Sequence, residues 1–254
     1  MESLAKRTIF SVQEFSYLVA GSVRNAFSPP RYVSDTLVQM DTIGVGSIPI
    51  VLLTGFFTGA VLALQSYRTL QTFGEVGLLG EAVAISVVRE LGPVLTALMV
   101  AGRNSSGIAS ELGSMLVSEQ IDAMRALGTD PMRKLVTPRL YATLITLPVL
   151  TILDDFTGMI GGYLVSIGVA HITGAEYWTA AYQSLSFEDV TQGLLKPLFF
   201  AFVVSLVGCY YGLRTTGGTE GVGRSTTRAV VAASVAVIML DFLITQFLIT
   251  IKFA

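Results

Sequence analysis

The sequence has little charge and almost no cysteine or histidine. Its 254 residues include 16 Lys and Arg, 18 Asp and Glu, one cysteine and one histidine. Charged residues make up 13% of the chain, whereas an ordinary soluble domain has about 25%. With 52% hydrophobic residues and a mean hydropathy of +0.67, the composition argues against both a water-soluble globule and a disordered chain. Much of the protein is therefore expected to lie in lipid.

These scarcities also exclude several kinds of site. Cys209 cannot form an internal disulfide and has no companion for a thiolate metal cluster. His171 lies in no Gly-x-Ser-x-Gly or His-Glu-x-x-His motif. A net charge of −2 provides no overall basic field for nucleic acid. We therefore predict no catalytic residue, no metal site, no cofactor and no nucleic-acid partner.

Five segments of the chain are apolar enough to cross a membrane, for which a helix needs about 20 residues. They are residues 43–64, 81–101, 140–170, 194–213 and 229–251. Lys196, near the start of the fourth span, is expected to extend its long side chain to the interface. We predict an all-α polytopic membrane protein with an N-terminal segment, residues 1–42, and a transmembrane domain, residues 43–254.

The basic residues alternate between the connecting segments. Four precede residue 43, five lie between residues 102 and 139, and three lie between residues 214 and 228, so twelve of the 16 fall on one side of a five-span chain. Cytoplasmic loops carry the excess of Lys and Arg. This pattern predicts a cytoplasmic N-terminus and a C-terminus across the membrane.

An amphipathic pattern precedes the first span. Apolar residues recur at helical spacings of three and four, at Val12, Phe15, Val19, Val23 and Phe27. The pattern predicts a helix in the cytoplasmic interface that ends at Pro29-Pro30. An amphipathic helix packed on other protein would show the same pattern.

A short helix is predicted in the longest cytoplasmic connection. Ser118 is a candidate N-cap, and Gly128 followed by Pro131 is a stop signal. Ile121, Met124 and Leu127 share one face of such a helix. An apolar face of this kind suits docking into a groove of a cytoplasmic partner, although it could also cap the helix bundle.

A chain of spaced motifs identifies a family. In order, these are Arg89-Glu-Leu-Gly-Pro93, Ala101-Gly-Arg103, Glu111-Leu-Gly-Ser-Met115, Glu119-Gln-Ile-Asp122, Asp130-Pro131 and Pro138-Arg139. Together they resemble the MlaE/YrbE family, the permease subunits of ABC transporters that work with MCE-domain proteins. The resemblance covers nearly everything after the N-terminal helix, and the ordered set is far more specific than any one motif.

The resemblance implies a homodimeric permease in the bacterial inner membrane, with an interfacial helix and five membrane helices per chain. It implies two cytoplasmic ATPases, a periplasmic ring of MCE-domain subunits and a small STAS-type cytoplasmic subunit. The complex would move phospholipid, or a related lipid, between the inner membrane and the MCE channel, with the C-terminus periplasmic. By position, the family's ATPase-coupling helix corresponds to Glu119, Gln120, Ile121, Asp122, Met124 and Leu127.

The resemblance also places Arg89 and Glu90 near the substrate cavity. An ionised side chain at mid-bilayer costs about 2.5–3.5 kcal/mol on insertion scales and nearly always faces a bundle interior or a wet cavity. Arg89 would then attract a lipid phosphate, and Glu90 would shape or gate the cavity. The alternative is a structural charge network between helices. Apolar candidates for the acyl-chain wall, each of which could equally be core packing, are Leu64, Leu70, Phe73 and Leu78.

Three aspartates in the spans leave a second function open. A proton-coupled secondary transporter could use Asp154, Asp155 and Glu90 as carriers. No inverted repeat supports that class, and five spans do not divide into two equal halves. Hydrogen bonding within the bundle is the simpler role for the aspartate pair, and a polar contact between helices is the simpler role for Asp241.

Overall fold

The computed structural model describes residues 2–26, 28, 29 and 32–253, with side-chain surroundings for most of residues 10–250. These residues are almost entirely helical, and no strand occurs among them. The α-helices are α1 (Glu2–Ala26), α2 (Val33–Ile43), α3 (Ile48–Phe73), α4 (Leu79–Ser86), α5 (Gly92–Val100), α6 (Ser106–Val117), α7 (Gln120–Ala126), α8 (Thr137–Gly168), α9 (Gly174–Ser184), α10 (Phe187–Gly212) and α11 (Gly218–Phe253). The all-α prediction is confirmed.

Five helical segments of the described chain are long and apolar enough to cross a membrane. They are Val33–Phe73, Val76–Val117, Met132–Gly168, Phe187–Gly212 and Gly218–Thr250. Each contains most of one predicted span and begins five to eleven residues before it, because hydropathy detects only the part that matches the ~30 Å hydrocarbon core. The number of spans is confirmed, and their predicted bounds were too narrow at the N-terminal ends.

Two basic residues that were counted in the connection between spans two and three lie instead on helices. The Arg103 guanidinium donates to Ser47 Oγ at 2.9 Å, across to the first span. Arg139 is only 3% exposed; it pairs with Glu111 at 2.8 Å and donates to the Leu135 carbonyl at 2.6 Å. Both side chains therefore hold helix ends together.

Helix α1 packs on the bundle by part of the predicted face, since Phe15 and Val19 contact the core. Leu18 and Ser22 are buried, whereas Val12 and Val23 remain exposed. An ion pair from Glu14 to Arg214 also ties α1 to the end of α10. The helix ends at Ala26, and the predicted residues Phe27 and Pro30 lie outside the described residues.

The predicted short cytoplasmic helix exists as α7, but its cap differs. Glu119, not Ser118, occupies the N-cap position, with a left-handed φ of 59°. The Ser118 hydroxyl donates back to the Ser114 carbonyl at 2.8 Å and so belongs to α6. Gly128, with φ of 76°, ends the helix as predicted, since a left-handed residue after a helix favours glycine.

Helix α9, which belongs to none of the five spans, packs against α4 of the second span. A Cβ at Gly80 would overlap the Tyr177 carbonyl, so the two backbones are in contact there. The buried Tyr177 hydroxyl donates to the Met159 carbonyl at 3.0 Å. Burial raises the pKa of this phenol above its usual range, so Tyr177 stays a neutral donor.

Glycines let the first and third spans approach closely. A Cβ on Gly59 would overlap the carbonyl of Gly158, and one on Gly161 would overlap the carbonyl of Phe56. Gly55 lies similarly close to the Asp154 carbonyl. The Gly-x-x-x-Gly patterns of α3 and α8 therefore face each other within the chain, as small residues do between membrane helices.

We predict that Gly59→Ala destabilises the protein by about 1–3 kcal/mol, the usual effect of overpacking, because the new methyl group meets backbone that cannot move aside. A lowered midpoint of thermal unfolding in detergent measures the effect. Gly107→Ala is the control, since a Cβ there has nothing within 4 Å. Equal midpoints for both variants would contradict a close contact between α3 and α8.

Candidate functional site

A fully buried lysine joins three spans. Lys196 of α10 has 0% exposure. Its Nζ lies 2.5 Å from Glu90 Oε2 in the second span and 3.1 Å from Asp241 Oδ1 in α11. An ammonium group in apolar surroundings is strongly disfavoured unless it is paired and hydrogen-bonded, and these two carboxylates neutralise it. Lys196 does not extend to the interface as predicted, whereas Asp241 makes the predicted contact between helices.

A proline explains why the lysine finds a backbone acceptor in the second span. Pro93 has no N–H, so the carbonyl of Arg89, four residues earlier, loses its helical donor. Residues Val87–Leu91 form a π-helical turn at this point, and such turns occur often at functional sites. Lys196 Nζ lies 3.4 Å from the freed Arg89 carbonyl. The sequence thus creates the unpaired acceptor and supplies its donor.

Arg89 and Glu90 have different surroundings. Glu90 is committed to Lys196. The Arg89 side chain is 34% exposed, and its ion-pair distances to described residues are long, 3.8 Å to Asp189 Oδ1 and 4.0 Å to Glu90 Oε1. We call these five side chains, Arg89, Glu90, Asp189, Lys196 and Asp241, the charge cluster. Arg89 is the cation of this cluster that can reach a new anionic ligand.

An open apolar groove runs along α3, and no side chain of the charge cluster lines it. Its volume is about 490 Å³, and Leu91, two residues after Arg89, forms its far side. Leu53, Phe57 and Val61 line it at intervals of one helical turn. Along the second span, the groove residue Leu91 and the partly exposed Arg89 are therefore two residues apart.

The predicted acyl-chain residues lie elsewhere. Leu64, Phe73 and Leu78 are exposed, Leu70 is half-buried, and none of them lines this groove. The reason is that α3 is apolar on nearly all sides, so its sequence does not indicate which face forms the groove. Their part in lipid binding stays a prediction.

The aspartate pair is on α8 in the third span, where Asp154 faces the first span and Asp155 faces the second. Asp154 is buried against Gly55 of α3, and Asp155 contacts Gly92. Each has a buried Oδ1 without a hydrogen-bond partner among the described residues. The expected hydrogen bonds to polar groups are therefore not formed at these oxygens. Neither carboxyl pairs with a basic residue that the structure describes.

The predicted ATPase-coupling residues divide into two groups. Ile121 is completely buried and Met124 is half-buried, both in the same apolar cluster under α7. Glu119, Gln120 and Asp122 are exposed, and Leu127 is 83% exposed. Ile121 thus anchors α7 to its own bundle, whereas the apolar side chain of Leu127, at the C-cap of α7, stays exposed.

Sequence reasoning missed Lys196 and Asp189 as members of the site. One signal was available: Lys196 and Asp241 are lone charges of opposite sign in two different spans. Charges inside membrane helices usually pair with one another. Asp189 gave no such signal, because it also completes the capping box of α10 with Ser186.

Comparison with known proteins agrees with this arrangement. Residues 36–247 match the family described as Permease MlaE. The chain belongs to the MlaE permease family. Within it, a probable ABC transporter permease protein of Rickettsia conorii is 43% identical over 247 residues, which cover 96% of this chain and 95% of the relative.

Two more distant relatives carry names that mention lipids. The intermembrane phospholipid transport system permease protein MlaE of Haemophilus influenzae is 40% identical over 82% of this chain and 80% of its own length. The chloroplastic protein TRIGALACTOSYLDIACYLGLYCEROL 1 of Arabidopsis thaliana is 38% identical over 84% of this chain and 61% of its own length. These relatives give no support to the proton-coupled alternative.

We predict that Lys196→Met lowers the stability of the MlaE-family fold here by about 3–5 kcal/mol, because it leaves buried carboxylates without their cation. The midpoint of thermal unfolding in detergent measures this. Lys134→Met is the matched control: Lys134 pairs with Asp35 at 2.5 Å, but its side chain is 36% exposed, and an exposed pair contributes about 1 kcal/mol or less.

A triple variant that also carries Glu90→Gln and Asp241→Asn should recover part of the loss, since no charge then stays unpaired. Equal midpoints for Lys196→Met and Lys134→Met would refute a structural role for the buried lysine.

Proposed function

We propose that this chain is the permease subunit of an ABC transporter that moves phospholipid between the inner membrane and a periplasmic MCE-protein channel. The observation that carries the proposal is that the partly exposed Arg89 lies two residues from Leu91, which lines an apolar groove. A phospholipid needs a cation for its phosphate and an apolar surface for its acyl chains. The phospholipid transport named for the Haemophilus relative supports the same substrate class.

In this proposal Arg89 binds the phosphate, and Glu90 holds the shape of the site through Lys196. The long Arg89–Asp189 contact of 3.8 Å is the one that an arriving phosphate replaces. Because the Lys196 ammonium is fully buried, it stays with its carboxylates. Arg89 therefore exchanges partners while the rest of the charge cluster remains in place.

Energy is supplied from outside this chain. The glycine-rich segment over residues 216–224, most of which belongs to α11, lacks the Gly-Lys-Ser/Thr ending of a P-loop, and two cytoplasmic ATPases are proposed to bind at α7. The exposed Leu127 is the contact, with Glu119, Gln120 and Asp122 around it. The apolar anchor Ile121 transmits movement of α7 to the bundle, because it packs against the membrane helices.

The remaining parts of the assembly follow from the family resemblance. We propose a homodimer in the bacterial inner membrane, with the N-terminus cytoplasmic and the C-terminus periplasmic. The MCE-domain ring lies on the periplasmic side, and a STAS-type subunit lies on the cytoplasmic side. Residues 1–42 form the interfacial part of each protomer, and residues 43–254 form the permease domain.

We predict that Arg89→Gln lowers the phospholipid that co-purifies with the complex by roughly tenfold, the effect of losing one hydrogen bond to a charged group. Lipid extraction followed by quantitative mass spectrometry measures it. Asp189→Asn is the matched control, because it breaks the same ion pair and leaves the guanidinium available. If both variants lose lipid equally, the Arg89–Asp189 ion pair is what lipid retention requires, and a contact between Arg89 and phosphate is excluded.

We predict that Leu127→Asp weakens binding of the ATPase by about 2 kcal/mol, roughly 30-fold, as expected for an apolar residue at the centre of an interface. Co-purification of a tagged ATPase measures it, with transport as a second readout. Ser34→Asp adds the same charge at the exposed start of α2 and should leave binding intact. Undiminished ATPase recovery with Leu127→Asp would exclude α7 as the docking site.

A further inference from the structure

A second set of cavities lies at the opposite end of the molecule from the charge cluster. A polar pocket of about 820 Å³ lies where α10 ends and α11 begins. An apolar groove of about 570 Å³ runs from there along α11. Tyr211 and Arg228 line both, so the two cavities meet at these side chains.

Arg228 is the available cation at this junction. Arg214, in the same pocket, is already bonded to the Tyr210 hydroxyl at 2.5 Å and paired with Glu14. Thr215 donates to Ser225 Oγ at 3.0 Å. Arg228 is exposed and has neither an ion pair nor a hydrogen bond within the part of the chain that the structure describes.

The groove has the length of one lipid monolayer. It extends along α11 from Arg228 through Val231 and Val235 to Met239. At 1.5 Å per residue this distance is about 16 Å, which is half of the ~30 Å hydrocarbon core of a bilayer. An unpaired guanidinium thus lies at the head of an apolar trough whose depth matches a single acyl chain.

We propose that this junction is a binding site for an anionic phospholipid of the cytoplasmic leaflet. The headgroup phosphate pairs with Arg228 in the polar pocket, and one acyl chain lies in the groove along Val231, Val235 and Met239. The site rests on the proposed orientation, which puts Arg228 at the cytoplasmic surface, and it does not involve Arg89.

Two other occupants fit less well. A soluble acidic partner could reach the polar pocket, but it would leave the apolar groove inside the membrane unfilled. In a two-fold interface between copies of the chain, the same patch supplies both sides, and the described residues that line the two cavities include no carboxylate. Both Arg228 guanidinium groups would then be buried without a counter-charge, which is strongly disfavoured.

The test is a lipid competition on the full chain. The protein is equilibrated in nanodiscs that contain equal amounts of phosphatidylglycerol and phosphatidylcholine, and the lipids retained after transfer to detergent are counted by native mass spectrometry. Wild-type protein should retain phosphatidylglycerol preferentially. Arg228→Gln should reduce this preference about fivefold, the contribution of one arginine near an anionic surface.

Two matched controls locate the effect. Arg224→Gln removes an equally exposed arginine one turn earlier, which pairs with Glu220 at 3.8 Å and lines neither cavity, so the preference should survive. Ala236→Trp should fill the groove and lower lipid retention, whereas Ile238→Trp, on an exposed face of α11 outside the groove, should not.

Three results would overturn the proposal. Equal loss with Arg224→Gln would mean a diffuse basic surface, and full retention with Ala236→Trp would mean that no acyl chain enters the groove. A change from dimer to monomer with Ala236→Trp would make the groove an interface between copies. Repeating the competition in an Arg89→Gln background distinguishes the two sites. If the proposed phosphate contact of Arg89 is wrong, the effect of Arg228→Gln on lipid preference remains.

Discussion

An ammonium group that has lost all contact with water must be neutralised where it lies, and Lys196 imposes this condition on three spans at once. Glu90 comes from the second span and Asp241 from the last, and the freed Arg89 carbonyl is the additional acceptor. Separating any of these helices would leave a charge unpaired in apolar surroundings, which costs several kcal/mol. The second, fourth and fifth spans therefore hold a fixed relation at this level, and Arg89 is presented at a defined position, two residues from Leu91 of the groove.

The contact between the first and third spans depends on a different principle. Lipid is as apolar as leucine, so helices in a membrane gain little by burying apolar side chains against each other, and close backbone packing takes over. Gly59 and Gly161 provide this closeness between α3 and α8. The same logic explains the room for Asp155 beside Gly92. The groove on α3 lies where this helix faces Leu91 of the second span.

The spans were predictable because length and hydropathy are properties of each segment alone. The contacts between spans were not predictable, because they depend on which faces of the helices meet. The isolated charges Lys196 and Asp241 pointed to a polar contact, but Glu90 as the second partner of Lys196 followed only from the fold. Ile121 and Leu127 share one apolar stripe in the sequence, yet one is buried and the other is exposed, since α7 ends at Ala126 and Leu127 is its C-cap residue. For the same reason the groove lies on another face of α3 than Leu64.

Charge balance separates a site that must release its ligand from one that retains it. In the charge cluster, two cations face three carboxylates, so an arriving phosphate has to compete with Asp189 for Arg89. Such competition limits affinity, and a transported ligand must bind well enough to enter and weakly enough to leave, as ions do in channels. Arg228 has no carboxylate competitor among the described residues, and an anionic headgroup would be held there without exchange. The two ends of the molecule therefore differ in the electrostatic requirement that each places on a lipid.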